Sequence, residues 1–129
     1  MKQPKWIAKA VVLALHKEQL AEHGGSDGLR DEGLLDSALA RPQNLFAYSE
    51  PDLFDLAASY AFGIARNHAF IDGNKRTALT AAATFLYIHG LDIVAPKETL
   101  YTTFLSLADG SLSEGALAAW LREHTELLK

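Results

Sequence analysis

The chain of 129 residues contains no cysteine. Disulfides and thiolate metal sites are therefore excluded, and the composition fits a reducing compartment. An excess of positive charge is also missing: 12 Lys and Arg stand against 16 Asp and Glu, a formal net charge of −4. That balance argues against general nucleic-acid binding, which normally needs a basic face, although it leaves room for a small basic pocket. No apolar run approaches the ~20 residues that a membrane span requires. The longest early run, Ile7 to Leu15, is broken by Lys9 and followed by His16-Lys17-Glu18 with no small-residue cleavage site. It reads as an amphipathic helix and not as a signal core. Repeats, low-complexity tracts and linkers are absent. What remains is an ordinary globular composition, 49% hydrophobic and 22% charged, in a chain long enough to bury a core without staples. The expectation is one cytoplasmic domain over residues 1–129, with no membrane segment and no direct nucleic-acid contact.

Six helical segments and almost no strand can be read from the periodicity, which makes the fold all-α. The first runs from about Lys5 to Glu22, with Ile7, Val11 and Leu15 four apart and Val12 beside them, and Gly24-Gly25 ends it. The second starts near Asp31, carries Leu34, Leu35, Ala38 and Leu39, and is expected to stop at Pro42, because a proline pushes the preceding residue out of helix. Residues Pro42 to Pro51 then form a long, partly packed connection. The third helix follows Asp52 and reaches about Asn67. The fourth runs from about Asn74 to Gly90 and carries no charge between Thr77 and Ile88, so it is expected to be buried all round. Leu91 to Val94 is briefly extended. A fifth helix covers about Pro96 to Ala108. Ser113 caps a sixth, on which Leu117, Trp120, Leu121 and Leu128 line up. Together these form a compact helical bundle around the third and fourth helices.

The most polar segment of the middle of the chain lies between those two apolar helices: His68-Ala69-Phe70-Ile71-Asp72-Gly73-Asn74-Lys75-Arg76-Thr77. It ends where a helix begins, so unpartnered backbone N–H groups and the positive end of the helix dipole make an anion site. Gly73 allows backbone to approach a ligand closely. Lys75 and Arg76 add two full charges at that same end, where cations oppose the dipole by roughly 0.3–1 kcal/mol each at exposed sites. Stability alone would not place them there, and a bound phosphate turns the conflict into attraction. Asp72 offers a hard oxygen ligand for magnesium, which one carboxylate and phosphate oxygens can hold. His68 is placed to take a proton from an incoming hydroxyl near neutral pH. Phe70 and Ile71 are expected to pin the loop to the core. Each residue also has a plain structural role open to it: a histidine satisfied at a helix end, an Asp or Asn cap, a Lys-Arg pair on solvated surface. Their coincidence between two largely apolar helices favours a phosphate or nucleotide site over those separate roles.

The pattern His68-x-Phe70-x-Asp72-Gly73-Asn74-Lys75-Arg76 resembles the signature of the Fic/Doc family, H-x-F-x-[DE]-G-N-[GK]-R. The likeness extends to Leu15-His16, Gly24-Gly25, the stretch Gly33 to Gln43, and Lys75-Arg76-Thr77-Ala78, which are similar to the Doc, or death-on-curing, branch. The resemblance implies a compact all-α Fic fold and use of a nucleoside triphosphate, ATP, with Mg²⁺. It implies His68 as general base, Asp72 as metal ligand, and Gly73, Asn74, Lys75 and Arg76 as phosphate contacts, with Lys75 and Arg76 also serving the transfer step. The segment Leu45 to Tyr48 is matched loosely to the flap that aligns the target chain.

Two departures from the adenylylating members bear on the reaction. Those have glycine after the Asn and a second Arg three residues beyond the first, where this chain has Lys75 and Leu79. Lysine adds bulk and charge, and Leu79 removes one bidentate phosphate clamp. The Doc branch shares the lysine, and the resemblance implies a reversed nucleotide whose γ-phosphate faces the hydroxyl of a protein target, a threonine of elongation factor Tu, with arrest of translation as the outcome. The inhibitory segment [ST]-x-x-x-E-[GN] of many Fic proteins has its nearest match at Glu114-Gly115, but Gly110 stands four before the Glu and the motif fails. Inhibition in trans by a Phd-type antitoxin, binding through its C-terminal segment, is the implied control. Within the family the alternative is adenylyl transfer; outside it, a non-catalytic helical interaction module. A histidine-based metal hydrolase has little to support it, since His16, His23, His89 and His124 show no paired ligand spacing, and His16 and His124 read as surface or interhelical residues.

Overall fold

The computed structural model describes residues 2–129; Met1 lies outside the described residues. Six helices follow in order: α1 (Lys9–His23), α2 (Glu32–Tyr48), α3 (Leu53–Asn67), α4 (Asn74–Tyr87), α5 (Lys97–Asp109) and α6 (Glu114–Glu123). The all-helical architecture agrees with the periodicity. Two three-residue strands, β1 (Leu91–Ile93) and β2 (Thr125–Leu127), form an antiparallel pair with Leu91 opposite Leu127 and Ile93 opposite Thr125. Leu128 therefore lies beyond β2 and not on the last helix.

Helix α3 is the axis of the molecule and packs against α2, α4, α5 and α6. Leu56 to Ala61 and Gly63 to Ala65 are all buried. Small side chains there let neighbours approach closely. A methyl group built on Gly63 would stand 3.1 Å from the Ala38 Cα of α2 and 2.9 Å from the Arg41 Cδ. The start of α3 is fixed by a reciprocal cap: the Asp55 N–H donates to Asp52 Oδ1 (2.8 Å), and the Asp52 N–H donates to Asp55 Oδ2 (3.0 Å). Arg122 of α6 donates to both carboxylates, Nε to Asp52 at 2.8 Å and Nη2 to Asp55 at 2.7 Å. Burial raises the Asp52 pKa, but the Arg122 guanidinium and the Asp55 N–H outweigh it and hold the carboxyl below its ordinary value.

Three sequence expectations are corrected. First, α1 begins at Lys9 and not near Lys5. Residues ahead of it run along the core without helix: Ile7 is buried, its N–H donates to the Tyr60 hydroxyl (3.0 Å), and the Lys5 N–H donates to His89 Nε2 (3.0 Å). Trp6 packs its edge on Phe46 and stacks on Phe85. The inward face of α1 is Val12 and His16, while Val11 is exposed. Second, Pro42 does not stop α2, which continues to Tyr48. A proline inside a helix removes a hydrogen bond and costs about 3 kcal/mol. Here the ring is itself buried, and Leu45 and Phe46 continue the stripe begun by Leu35, Ala38 and Leu39. The i, i+3, i+4 pattern thus runs unbroken through the proline, and burial offsets the lost bond. Third, α4 is not buried all round. Thr77, Ala78, Ala81, Ala82, Phe85 and Leu86 face the core, but Tyr87, where the helix ends short of the expected Gly90, is exposed, as is Ile88 just beyond it.

The close approach of α2 and α3 sets one expectation: Gly63→Ala should cost about 1–3 kcal/mol by overpacking, whereas Gly115→Ala, with nothing within 4 Å of the added methyl, should be neutral or slightly stabilising in the same urea titration. The depressed Asp52 carboxyl sets another. Its contribution is present above the unfolded pKa of ~4 and is lost as pH falls through the lower folded value. Asp52→Asn keeps a cap acceptor but not the charge, so its stability should fall less than that of the parent between about pH 5 and 3, read from thermal unfolding.

Candidate active site

The connection from α3 to α4, residues 68–73, carries the polar segment picked out in the sequence. It opens with His68 at the end of α3 in the left-handed region (φ 50°, ψ 48°), the one non-glycine with positive φ among the described residues. Such a backbone costs of order 1–3 kcal/mol and persists only where its surroundings fix it. Arg30 does so: its Nε donates to the His68 carbonyl (2.8 Å) and its Nη2 to the Asn67 carbonyl (3.1 Å). Beyond His68 the loop runs alongside residues 28–31 as an antiparallel bridge between Leu29 and Phe70. The Ala69 carbonyl accepts from the N–H groups of Arg30 (2.7 Å) and Asp31 (3.1 Å), and the Ile71 N–H donates to the Gly28 carbonyl (3.0 Å).

Asn74, the first residue of α4, closes the loop from the other side. Its amide nitrogen donates to the Phe70 carbonyl (2.9 Å) and its amide oxygen accepts the Phe70 N–H (3.1 Å). Phe70 is buried, and the His16 ring of α1 lies flat on it, centroids 3.8 Å apart and planes 11° from parallel. The His16 Nε2–H donates to the Asp72 carbonyl at 2.8 Å. The Gly73 N–H donates to Asp72 Oδ1 (2.9 Å), and the Ser26 N–H makes a long contact with Oδ2 (3.4 Å). Gly25 must be glycine for this approach: it has φ +122°, and a Cβ would fall 2.8 Å from Asp72 Oδ2.

The loop backbone is thus bound from behind, and its functional side chains face outward. His68, Ile71, Asp72, Gly73, Asn74, Lys75, Arg76 and Tyr101 line one cavity of about 240 Å³. No side chain caps the first turn of α4, so the N–H groups of Asn74, Lys75 and Arg76 remain open toward a ligand. Among the described residues neither Lys75 nor Arg76 has a carboxylate within ion-pair distance. The Arg76 guanidinium lies over the Tyr101 ring, 5.7 Å from its centroid. At the end of α5 the Asp109 carboxyl is held below its ordinary value, first by the Ser111 hydroxyl and backbone and then by the positive field of Arg66 and Lys75. Four other clefts, of about 280 to 490 Å³, each carry a carboxylate: Glu50 with Asp55 and Glu114, Glu50 with Asp52, Asp36 paired with Lys9, and Glu114 paired with Arg41. The His68 cavity is set apart from these by two cations that no carboxylate among the described residues neutralises, which suits it best to phosphate.

All six residues singled out in the sequence, His68, Asp72, Gly73, Asn74, Lys75 and Arg76, meet at this cavity. One local expectation is made more specific and one is corrected. The Asn74 side chain is committed to Phe70, so toward an anion Asn74 presents its backbone N–H. Ile71 does not pin the loop; it is exposed and lines the cavity, and Phe70 alone is buried. The proposed flap residues Leu45 to Tyr48 belong to α2, the connection before α3 is only residues 49–52, and none of them lines the cavity. Sequence reading missed His16, Arg30 and Tyr101. His16, expected as a surface or interhelical residue, is buried beside Val12 on the inward face of α1, and its spacing of four from Val12 was the signal available; Arg30 and Tyr101 reach the site from distant segments with no local signal. The residues also fit a magnesium ion bound chiefly through a nucleotide: Asp72 Oδ2 holds only a long contact, and no cluster of three or more His, Asp or Glu side chains exists among the described residues.

The model of the Fic/DOC family matches residues 6–86. The chain is 36% identical over 117 residues to "Protein kinase doc" of Escherichia phage P1, covering 90% of this chain and 92% of that protein. It is 53% identical over 76 residues to "Toxin Doc" of Mycolicibacterium smegmatis (strain ATCC 700084 / mc(2)155), a match spanning 56% of this chain and 57% of that relative. No helix among the described residues is long and apolar enough to cross a membrane.

The double bond from Asn74 to Phe70 yields a direct expectation. Asn74→Ala should lower stability by about 1–3 kcal/mol, since it orphans a buried donor and acceptor, and should remove the hydrogen-exchange protection of the Phe70 amide.

Proposed function

This chain belongs to the Fic/DOC family, and on that premise we propose that it is a Doc-like toxin, one Fic/Doc domain over 1–129, that transfers the γ-phosphate of ATP to a protein hydroxyl. The observation that carries this reading is the convergence of an exposed histidine, a carboxylate, two unpaired cations and an uncapped helix N-terminus on one cavity. The relative named as a protein kinase supports phosphoryl transfer, as do Lys75 and Leu79 where adenylylating members carry glycine and arginine.

In the proposed reaction the target hydroxyl enters beside His68, whose imidazole takes its proton as the oxygen attacks the γ-phosphorus. The bond from that phosphorus to the bridging oxygen breaks, and the nucleoside diphosphate leaves with the electron pair. The open N–H groups of α4 and the Lys75 and Arg76 side chains hold the phosphates and offset the charge spread over them; positioning and neutralisation of this kind are most of what phosphoryl transfer asks of a protein. Asp72 would hold Mg²⁺, which when bound supplies further charge neutralisation at the phosphate oxygens. The target we infer is a threonine of elongation factor Tu, the setting cytoplasmic, and the control a Phd-type antitoxin that binds through its C-terminal segment.

Purified protein incubated with elongation factor Tu and ATP labelled at the α- or the γ-phosphate tests the reading. Transfer of the γ label is expected; transfer of the α label would make the protein an adenylyltransferase and overturn it. His68→Ala should lower the transfer rate by about 10²–10⁴-fold, the usual contribution of a positioned base, and should abolish toxicity in growing cells.

A further inference from the structure

We propose that His16 is a positioning residue for the transfer loop, holding the Asp72–Gly73 peptide so that the Asp72 carboxylate and the first N–H groups of α4 face the cavity. The proposal rests on reading that cavity as a nucleotide site. His16 lies one turn after Val12 on the buried face of α1 and is 2% exposed. A leucine or phenylalanine would fill that space without desolvating ring nitrogens, so the imidazole needs a reason to be there.

The reason is in its contacts. The Asp72 carbonyl can only accept, so Nε2 carries the hydrogen and the 2.8 Å bond fixes which ring nitrogen is the donor. The same ring lies flat on Phe70. It also reaches under Gly73, where a built Cβ would be 3.6 Å from His16 Cδ2 and Nε2. One ring therefore supports the turn from Phe70 to Gly73.

Peptide planarity carries that support to the functional groups. The Asp72 carbonyl and the Gly73 N–H belong to one rigid trans amide and point in opposite directions. Anchoring the carbonyl inward on His16 turns the N–H outward, where it donates to Asp72 Oδ1 at 2.9 Å. The chain His16 Nε2–H to carbonyl, then N–H to carboxylate, aligns its dipoles, and each bond polarises the next. Asp72 is thereby set in direction, and the next residue is the first of α4. Histidine acts here through Asp72 and Gly73 and does not itself line the cavity.

Two variants separate positioning from packing. His16→Phe keeps an aromatic ring on Phe70 and removes the donor; His16→Gln brings an amide nitrogen near the Nε2 position. His16→Phe is expected to unfold cooperatively with helical circular dichroism like the parent's. It should shift the Gly73 amide resonance in the ligand-free protein and weaken Mg·AMP-PNP binding, measured by calorimetry, by about 10–100-fold, the usual effect of removing a group that orients a metal-binding carboxylate. His16→Gln should return most of that affinity and move the Gly73 resonance back. A His16→Phe protein with parental nucleotide affinity and an unmoved Gly73 amide would overturn the proposal, as would a His16→Gln protein no better than His16→Phe. Should the parent itself take up no Mg·AMP-PNP, the nucleotide reading fails by that result alone, and the Gly73 resonance in the ligand-free variants still decides whether His16 holds the loop.

Discussion

A stretch of chain with no helix or sheet of its own still has to pair its backbone polar groups, and in this protein that requirement falls on the six residues between α3 and α4. Their partners come from elsewhere: Arg30 on the His68 carbonyl, residues 28–31 on Ala69 and Ile71, Asn74 on both ends of Phe70, His16 on Asp72. These bonds take up the backbone groups of the loop, Ala69 and Phe70 are buried, and the side chains of His68, Asp72, Lys75 and Arg76 are left to line the cavity.

The arrangement carries local costs that have no structural return. His68 occupies a left-handed backbone. Lys75 and Arg76 stand in the first turn of α4, which has neither an acidic residue nor a side-chain cap. Three of the other five helices start differently: Asp31, Asp52 and Ser113 each cap a helix with a side-chain oxygen, while α1 and α5 are uncapped. At the start of α1, however, Lys9 is paired with Glu32 and Asp36, whereas Lys75 and Arg76 have no carboxylate partner among the described residues, the arrangement that the proposed phosphate site asks for. The buried packing of α3 against four other helices supplies the stability that allows this strain to persist.

Much of this was legible in the residues. The bounds of helix α3, Asp52 and Asn67, are legible from its residues, because its cap is local and its apolar pattern is dense. The six motif residues were found together because they are contiguous and their chemistry is consistent. Misreadings occurred where a local rule met a tertiary competitor. Pro42 is a helix breaker by backbone chemistry, yet burial of its ring and of Leu45 and Phe46 keeps α2 intact. Ile7 has helical spacing with Val11, yet Tyr60 and His89 hold that segment outside α1.

The sequence alone therefore determined the helical class, the position and composition of the polar loop, and its charge, since these depend on periodicity, caps and contiguous residues. The tertiary structure alone decided which side of that loop faces solvent, that Arg30 and His16 hold it, and that Tyr101 from α5 forms part of the cavity wall. Those relations join segments tens of residues apart. Hydrogen-bond pairing and burial act through space, and no pattern along the chain records which distant group will meet a given carbonyl.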